Sequence, residues 1–458
     1  MTDQPRRTRV LIITGDAIGV KMAGPAIRAW NMAEVLSADN NDVALMTTSL
    51  LELVPADFAL HRVRPGEDSA FDELESWADV IVFQGHAMAQ FDALRSTKKV
   101  VVADIYDPMH LEMLEQGREL GAATWELRVA SATAVLNEQL ALADFFLCAS
   151  ERQRLFYLGQ LTTLGRVNPL TYAHDPHLSR LIAVAPFGLS KIAPSHEVDV
   201  VKGVRAGIAA DDKLLIWGGG LYNWFDPLTL ITAVARLSER RASVKLLFLG
   251  TRHPGVDEMG IVRESFDLAK ELGALDTSVF FNESWVPYSH RQNYLMEADA
   301  GVSTHMSHIE TTFAFRTRIL DYLWASLPMV VTEGDIFAEL VAAEGLGVVV
   351  PAQDVAALEA ALERALFDDE FVASVRKNVE RVRQRFLWER SLEPLVEFVR
   401  SPHLASDNLN GRADRSHLGR RRKPYGFRHN AGRFWHYLRA EGLWRALRRV
   451  TARLRQSR

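Results

Sequence analysis

The stretch FAFRTRILDYLWASLPMVVTEGD, residues 313–335, joins a helical pattern to a strand. The apolar residues of its first part recur at helical spacing, and they are Ile319, Leu320, Leu323, Trp324 and Leu327. The β-branched run MVVT follows. Arg316 and Arg318 precede Asp321 near the helix start, where free N–H groups and the macrodipole favour an anion. Because an Arg–Asp pair on a helix is more often a surface ion pair, the stretch predicts an α/β unit and leaves two roles open for its charges.

The same alternation of short strands and helices extends through the first 400 residues. Several strand-like runs, such as VLIIT, DVIVFQ and KLLIW, are continuously apolar, which is typical of strands buried on both faces of a parallel sheet. The rhythm stops near residue 190 and then restarts. We therefore expect two facing, doubly wound, Rossmann-like domains, 1–190 and 191–400, that bind ligands at the carboxyl ends of their strands.

Charge separates the C-terminal tail from the rest of the 458 residues. Residues 401–458 hold 15 Lys and Arg against 3 Asp and Glu, a net charge of +12. The first 400 residues, with the remaining 38 basic and 55 acidic residues, carry −17. The acidic body argues against a general nucleic-acid binder. We expect a basic linker at 401–432 and a basic amphipathic helix at 433–458, which could bind an anionic membrane surface, dock on the body or form a disordered arm.

Compartment signals are sparse. The sequence opens without a recognisable signal segment and has no apolar run long enough to span a bilayer. Its single cysteine, Cys148, lies in an apolar run and is expected to be an inert buried thiol. We expect a cytoplasmic protein, with peripheral contact at the inner face of the cell membrane if the tail binds lipid.

Glycines follow the first strand of each predicted domain. In the first, TGDAIGVKMAGPAIRAW places Gly24, Pro25 and Arg28 at the start of a helix, either as a ligand-facing acceptor or phosphate loop or as a plain strand-to-helix turn. The spacing is not G-x-G-x-x-G, which disfavours a dinucleotide dehydrogenase. In the second, Gly218, Gly219 and Gly220 would let a phosphate or sugar approach main-chain amides.

Polar side chains follow two further strands of the first domain. His86 comes after DVIVFQ, and Asp104, Asp107 and His110 come after the next strand. Parallel topology would bring them to the cleft, although a structural histidine is about as common as a functional one. The sequence has no H-E-x-x-H, paired C-x-x-C or G-x-S-x-G motif, so zinc proteolysis and serine hydrolysis lack support.

Taken in order, these segments resemble the retaining glycosyltransferase family 4, of GT-B fold and bacterial envelope or polysaccharide type, over residues 9–400. The segments that carry the resemblance are MAGPAIRAWNMAEVLS, CASERQRLFYLG, IAVAPFG and ILDYLWASLPMVVTEGD. It implies sugar transfer from a nucleotide-diphosphate sugar to a polysaccharide or lipid-linked acceptor, with retention of configuration and without metal or cofactor.

The resemblance also implies roles for individual residues. Asp321 would hold the ribose, and the amides near Thr317 and Arg318 would meet the diphosphate. His86 and Asp107 would line the acceptor side.

The sequence departs from the family at two places. Where the family has an acid, this chain has Phe313, and Glu310 is the nearest acid that could replace it in catalysis. The family's Arg and Lys after the first strand of the second domain are absent from GGGLYNWFDP, and our hypothesis is that Arg316 and Arg318 supply their charge. Two alternatives stay open: another GT-B enzyme, such as a sugar-nucleotide epimerase or inverting transferase, and a degenerate glycosyltransferase-like partner subunit.

Overall fold

The computed structural model describes residues 7–251, 259–284 and 286–409. Most of the expected linker at 401–432 and all of the expected helix at 433–458 lie outside these ranges. None of the described helices combines the length and the apolar character needed to cross a membrane.

The first domain is a seven-stranded parallel sheet in the order β3-β2-β1-β4-β5-β6-β7. Its strands are β1 Arg9–Thr14, β2 Asp42–Thr47, β3 Ala59–Arg62, β4 Val80–Gln84, β5 Val100–Asp104, β6 Phe145–Cys148 and β7 Ile182–Val184. Every residue of β4 and β6 is buried, as their continuous apolar runs predict. Burial also raises the pKa of the Cys148 thiol to about 12, in keeping with an inert thiol.

Helices cover both faces of this sheet. They are α1 Gly24–Ala38, α2 Asp68–Trp77, α3 Ala87–Gln90, α4 Ala93–Ser96, α5 Met109–Gln116, α6 Ala122–Leu142, α7 Glu151–Thr163 and α8 Pro169–His174. The helix α1 begins with Pro25 in its first turn, where the missing N–H of proline is harmless.

The second domain is a six-stranded parallel sheet in the order β10-β9-β8-β11-β12-β13. Its strands are β8 Lys213–Trp217, β9 Val244–Phe248, β10 Val279–Phe281, β11 Ala300–Ser303, β12 Met329–Thr332 and β13 Gly347–Val350. Its helices are α9 Pro227–Arg240, α10 Gly260–Glu271, α11 Arg291–Glu297, α12 Ile309–Phe313, α13 Arg318–Trp324, α14 Ile336–Glu344, α15 Val355–Phe367 and α16 Asp369–Arg383. The prediction of two facing α/β domains is confirmed.

The chain returns to the first domain before residue 400. Two further helices, α17 Trp388–Ser391 and α18 Glu393–Arg400, make this crossing, and Phe398 of α18 stacks on Phe145 with ring centroids 4.3 Å apart. Asp407 then forms a buried ion pair with Arg166 at 3.0 Å. The start of the expected basic linker is therefore a segment anchored to the first domain.

Hydrogen bonds also join the two domains beside the cleft. The buried Gln153 Nε2 donates to the carbonyl of Tyr106 in the first domain and to that of Phe313 in the second, both at 2.8 Å. Asn223 Nδ2 donates to Glu119 Oε1 at 3.0 Å. These bonds fix how the carboxyl ends of the two sheets face one another.

Candidate active site

A cleft of about 460 Å³ lies between the two domains. The predicted site residues that line it are Gly24, Pro25, Asp107, Gly218, Gly219, Gly220, Arg316, Thr317, Arg318 and Asp321. They come from the loops after β1, β5 and β8 and from the start of α13. Open α/β sheets bind ligands at this edge, so the cleft is the candidate active site.

Arg28 does not reach the cleft. Its side chain is fully buried, and its Nε and Nη2 bind the two oxygens of Asp104 at 2.7 and 2.8 Å. The same guanidinium donates to the carbonyls of Ala185 and Pro186. The expectation that Arg28 faces a phosphate or acceptor is therefore corrected, because an internal carboxylate takes the guanidinium. Arg28 and Asp104 instead hold α1, and with it Gly24 and Pro25, against the sheet.

His86 lies outside the cleft lining as well. It is exposed and directly precedes α3, just after Gly85 turns the chain with a positive φ of 60°. The structure therefore does not bring His86 to the cleft lining, which corrects its expected place at the cleft mouth. His110 stacks on Phe156 instead of lining the cleft, and burial lowers its pKa to about 4.

Asp107 is the predicted acid that the first domain does bring to the cleft. Its carboxyl group is hydrogen-bonded to that of Glu112, which lies five residues further on in α5 and also lines the cleft. Burial raises the pKa of Asp107 to about 6, with further contributions from the negative charges of Glu310, Asp104 and Asp16, while the bond to Glu112 opposes the rise. Burial and the Asp107 charge also raise the pKa of Glu112 well above its usual value. A hydrogen bond between two carboxyl groups requires a proton on one of them, so the two groups titrate as a pair.

The glycine loop of the second domain leaves open space at its centre. Gly219 has a positive φ of 81° and nothing within 4 Å of a Cβ added there, and it is exposed. A Cβ on Gly218 would touch Tyr322, whose hydroxyl accepts a hydrogen bond from the Gly218 N–H at 2.9 Å. Tyr322 therefore holds the loop in place at Gly218, and Gly219 faces the cleft.

Glu310 is fully buried under the cleft and does not line it. Its two oxygens accept hydrogen bonds from Nη1 and Nη2 of Arg316 at 2.8 and 2.6 Å. This bidentate pair corrects the expectation that Glu310 replaces the missing acid at the donor sugar, because Arg316 occupies both of its oxygens. It also neutralises much of the charge that Arg316 was expected to offer a diphosphate.

Phe313, at the position of the family's acid, serves the domain interface. Its ring packs on Phe156 of the first domain with centroids 4.5 Å apart, and its carbonyl accepts the bond from Gln153. The departure in sequence therefore adds an apolar contact between the domains at this point.

Arg318 differs from Arg316, whose charge is neutralised by Glu310. It lines the cleft, lies over the rings of Trp217 and Phe225 at 4.2 and 4.1 Å, and donates from Nη2 to the Gly220 carbonyl at 3.0 Å. Its Nη1 is buried without a hydrogen-bond partner, and no carboxylate of the described residues forms an ion pair with it. Burial lowers its pKa to about 10, so it stays charged at neutral pH. The cation is suited to an anionic ligand.

Asp321 is half-buried and has a partner that sequence reasoning missed. Arg291 Nε lies 3.0 Å from its Oδ1, and the same guanidinium is stacked between the rings of Tyr288 and Trp324 at 3.5 and 4.4 Å. Arg291 begins α11 and lines the cleft. Asp321 therefore offers its second oxygen, Oδ2, more freely than its first. An arginine at a helix start, in the segment VPYSHRQNY, was the available signal.

A possible metal-binding group lies elsewhere. His196, Asp199 and Glu297 could offer ligand atoms within 4.8 Å of one another, but none of them lines the cleft. Glu297 already accepts hydrogen bonds from the backbone N–H groups of residues 200–202. This cluster is explained by the loop that it holds.

Comparison with known proteins agrees with this architecture. Residues 212–368 match the family described as glycosyl transferases group 1. No curated protein matches the sequence. Among solved structures, sucrose-phosphate synthase from Thermosynechococcus elongatus superposes with a TM-score of 0.63 at 16% identity, covering 86% of this chain and 98% of the other.

Two further solved structures are similar over the same share of this chain. WaaG, a glycosyltransferase involved in lipopolysaccharide biosynthesis, has a TM-score of 0.59 at 16% identity, with coverage of 86% and 100%. Anabaena Alr3699/HepE in complex with UDP-glucose has 0.62 at 16% identity, with the same coverage. A group 1 glycosyltransferase domain within a complete GT-B fold makes this chain a glycosyltransferase, as the sequence predicts.

Proposed function

We propose that the protein transfers a glycosyl group from a nucleotide-diphosphate sugar to a hydroxyl of a polysaccharide or lipid-linked acceptor, with retention at the anomeric carbon. The single observation that carries the donor assignment is Arg318, a buried cleft cation with an unpaired Nη1 beside the open glycine loop. A diphosphate supplies the charge and the acceptor oxygens that this guanidinium lacks.

Other residues of the second domain complete the donor site in this proposal. The diphosphate lies between Arg318 and Gly219, and the ribose lies at Asp321, whose carboxylate accepts hydrogen bonds from hydroxyls. Arg316 adds a weaker field because Glu310 neutralises it. Guanidinium groups, rather than a metal ion, are proposed to stabilise the leaving diphosphate.

In the transfer step, the bond between the anomeric carbon and the diphosphate oxygen breaks, and its electron pair leaves with the diphosphate. The acceptor oxygen forms the new bond on the same face, and its proton passes to the departing phosphate oxygen. Charge therefore develops on the diphosphate, where Arg318 stabilises it without reorganisation. Asp107, on the opposite wall, orients the acceptor hydroxyl, and the enclosed cleft limits hydrolysis of the donor.

A thermal-shift screen over UDP-, GDP-, ADP- and TDP-sugars tests the donor assignment. A ligand that binds the folded state raises the melting temperature, and one nucleotide series should do so selectively. UDP-glucose is the first to test, because the Anabaena structure holds it. Release of nucleoside diphosphate with acceptor, followed by NMR of the product's anomeric centre, would then test retention. Failure of every series to bind would contradict the proposal and favour a degenerate partner subunit.

We also propose a cytoplasmic enzyme whose basic tail contacts anionic lipid, supported by the net charge of +12 on residues 401–458. Each basic residue near such a surface contributes about 1 kcal/mol. Co-sedimentation with phosphatidylserine vesicles should fall when the chain is truncated after residue 409, a point that keeps Asp407 and its ion pair with Arg166. Equal sedimentation of both chains would contradict a membrane role for the tail.

A further inference from the structure

The two walls of the cleft carry opposite charges. Among the described residues, the charged side chains that line it from the first domain are all acidic, and they are Asp16, Asp107 and Glu112. From the second domain the described lining has one acid and three cations, namely Asp321, Arg291, Arg316 and Arg318. A ligand that spans the cleft therefore meets positive charge at the donor wall and negative charge at the acceptor wall.

Within the part of the chain that the structure describes, the acids of the acceptor wall are not paired with cations. No ion pair within the described residues involves Asp16, Asp107 or Glu112. Arg28 has its guanidinium on Asp104, and Arg316, whose charge opposes the rise in the pKa of Glu112, forms its ion pair with Glu310. Burial raises the pKa of Asp16, and no cation of the described residues compensates this rise. Their negative potential is thus directed into the cleft instead of being cancelled inside the protein.

The hydrogen-bonding capacity of this wall is also incomplete. Asp107 is hydrogen-bonded to Glu112 through its carboxyl group, while its Oδ1 is buried without a hydrogen-bond partner. An ionised carboxylate oxygen only accepts hydrogen bonds. The missing partner is therefore a donor, such as a hydroxyl, and an anionic oxygen in its place would be repelled.

We propose that the acceptor wall selects for a hydroxyl-bearing group without anionic charge, which donates to Asp107, and rejects phosphorylated or carboxylated forms of the same group. This inference rests on the proposed function and adds the chemical class of the acceptor's reacting end. A lipid-linked acceptor fits when its phosphate lies outside the cleft and an uncharged sugar enters. Amino sugars share the required chemistry, because an ammonium group is also a donor and is attracted by the wall.

Matched acceptors that differ only in charge test the proposal. Release of UDP from UDP-glucose, or from whichever nucleotide sugar binds, is measured with the full chain and equal concentrations of glucose, glucosamine and glucose 6-phosphate, and likewise for the mannose and galactose series. At least one neutral or amino sugar should stimulate release, with its phosphate at least about 10-fold less effective, because like charges in an enclosed site repel strongly. Equal or greater stimulation by a phosphate, or none by any neutral or amino sugar, would overturn the proposal.

Two variants test whether the acids of the acceptor wall cause the preference for acceptors without anionic charge. Asp16→Asn and the double variant Asp107→Asn/Glu112→Gln each remove one negative charge but keep side-chain shape, and each should narrow the preference for the neutral sugar over its phosphate. The exposed Glu126→Gln on α6 changes net charge equally and should leave the ratio unchanged. An unchanged ratio in both wall variants would overturn the assignment. If the unmodified protein binds no nucleotide and releases no nucleoside diphosphate even without an acceptor, the proposed function itself would have failed.

Discussion

Arg28 of the first domain and Arg318 of the second are both buried beside the cleft, and they differ in which groups accept hydrogen bonds from their guanidinium N–H groups. Arg28 in α1 bonds through Nε, Nη1 and Nη2 to Asp104 and two carbonyls. Arg318 in α13 makes one hydrogen bond, to Gly220, and otherwise rests on aromatic rings. Residue type and burial are nearly the same at the two positions. The number of N–H groups left unsatisfied is what separates a structural arginine from one suited to a ligand.

The largest expected effect comes from Arg28→Met. It leaves the Asp104 carboxylate buried without its cation, and breaking a buried pair in this way costs about 3–5 kcal/mol of unfolding free energy. Urea unfolding measures the loss. The exposed Arg364→Met in α15 is the control and should change stability by less than about 0.5 kcal/mol. A loss from Arg28→Met no larger than that of the control would show that the buried pair is not structural.

Arg316→Met should come next, at about 3 kcal/mol, because Glu310 is fully buried and would lose both of its hydrogen bonds. Adding Glu310→Gln should restore part of the stability, since a neutral amide is easier to bury than a charge. Thermal and urea unfolding of the single and double variants check this order. No recovery in the double variant would mean that the charge of Glu310 is not the cause.

Arg318→Met should leave the fold intact and weaken donor binding. Its guanidinium is desolvated without a carboxylate partner, so its removal should change unfolding free energy by less than about 1 kcal/mol. Nucleotide affinity should fall by about 10- to 30-fold, or roughly 1.4–2 kcal/mol. Isothermal titration with UDP measures the affinity, and Arg364→Met again serves as control. Unchanged affinity in a folded Arg318→Met variant would contradict the diphosphate assignment.

The smallest effect is expected at the acceptor wall, from Asp107→Asn. The pKa of Asp107 is raised to about 6 in the folded protein, so the folded state holds its proton more tightly than the unfolded chain. Stability from this group is present at low pH and is lost as pH rises towards 6. The Asn variant should therefore be more stable than the parent at pH 8, with the gain shrinking towards pH 4.

The same variant should lower transfer activity, and in the parent the activity should decline as pH falls through about 6. The charged groups around this carboxyl are Asp16, Asp104, Glu112, Glu310 and Arg316. Glu126→Gln should retain the pH profile of the parent. If the Asp107→Asn variant is less stable than the parent at pH 8 and its activity depends on pH as the parent's does, both expectations are contradicted.

The fold could be predicted because apolar runs and their spacing are local properties of the chain. They gave the parallel strands, the two sheets and the edge where glycines and charges collect. The pairing of those charges could not be predicted in the same way. Asp104 meets Arg28 from 76 residues away, and Arg291 meets Asp321 from 30.

Some local backbone conformations could not be predicted from the sequence either. Glu310 and Arg316 are only six residues apart, yet their bidentate pairing depends on how the loop between α12 and α13 folds. The positive φ of Gly85, the residue directly before His86, is equally invisible in a single sequence. The position of the cleft could therefore be predicted from the sequence more accurately than the roles of the individual side chains near it.

The most direct test of the donor assignment is a crystal structure of the protein with UDP or UDP-glucose. A phosphate oxygen should lie within about 3.2 Å of Arg318 Nη1, beside Gly219, with the ribose at Asp321. A diphosphate bound elsewhere, with Arg318 Nη1 still lacking a partner, would contradict it.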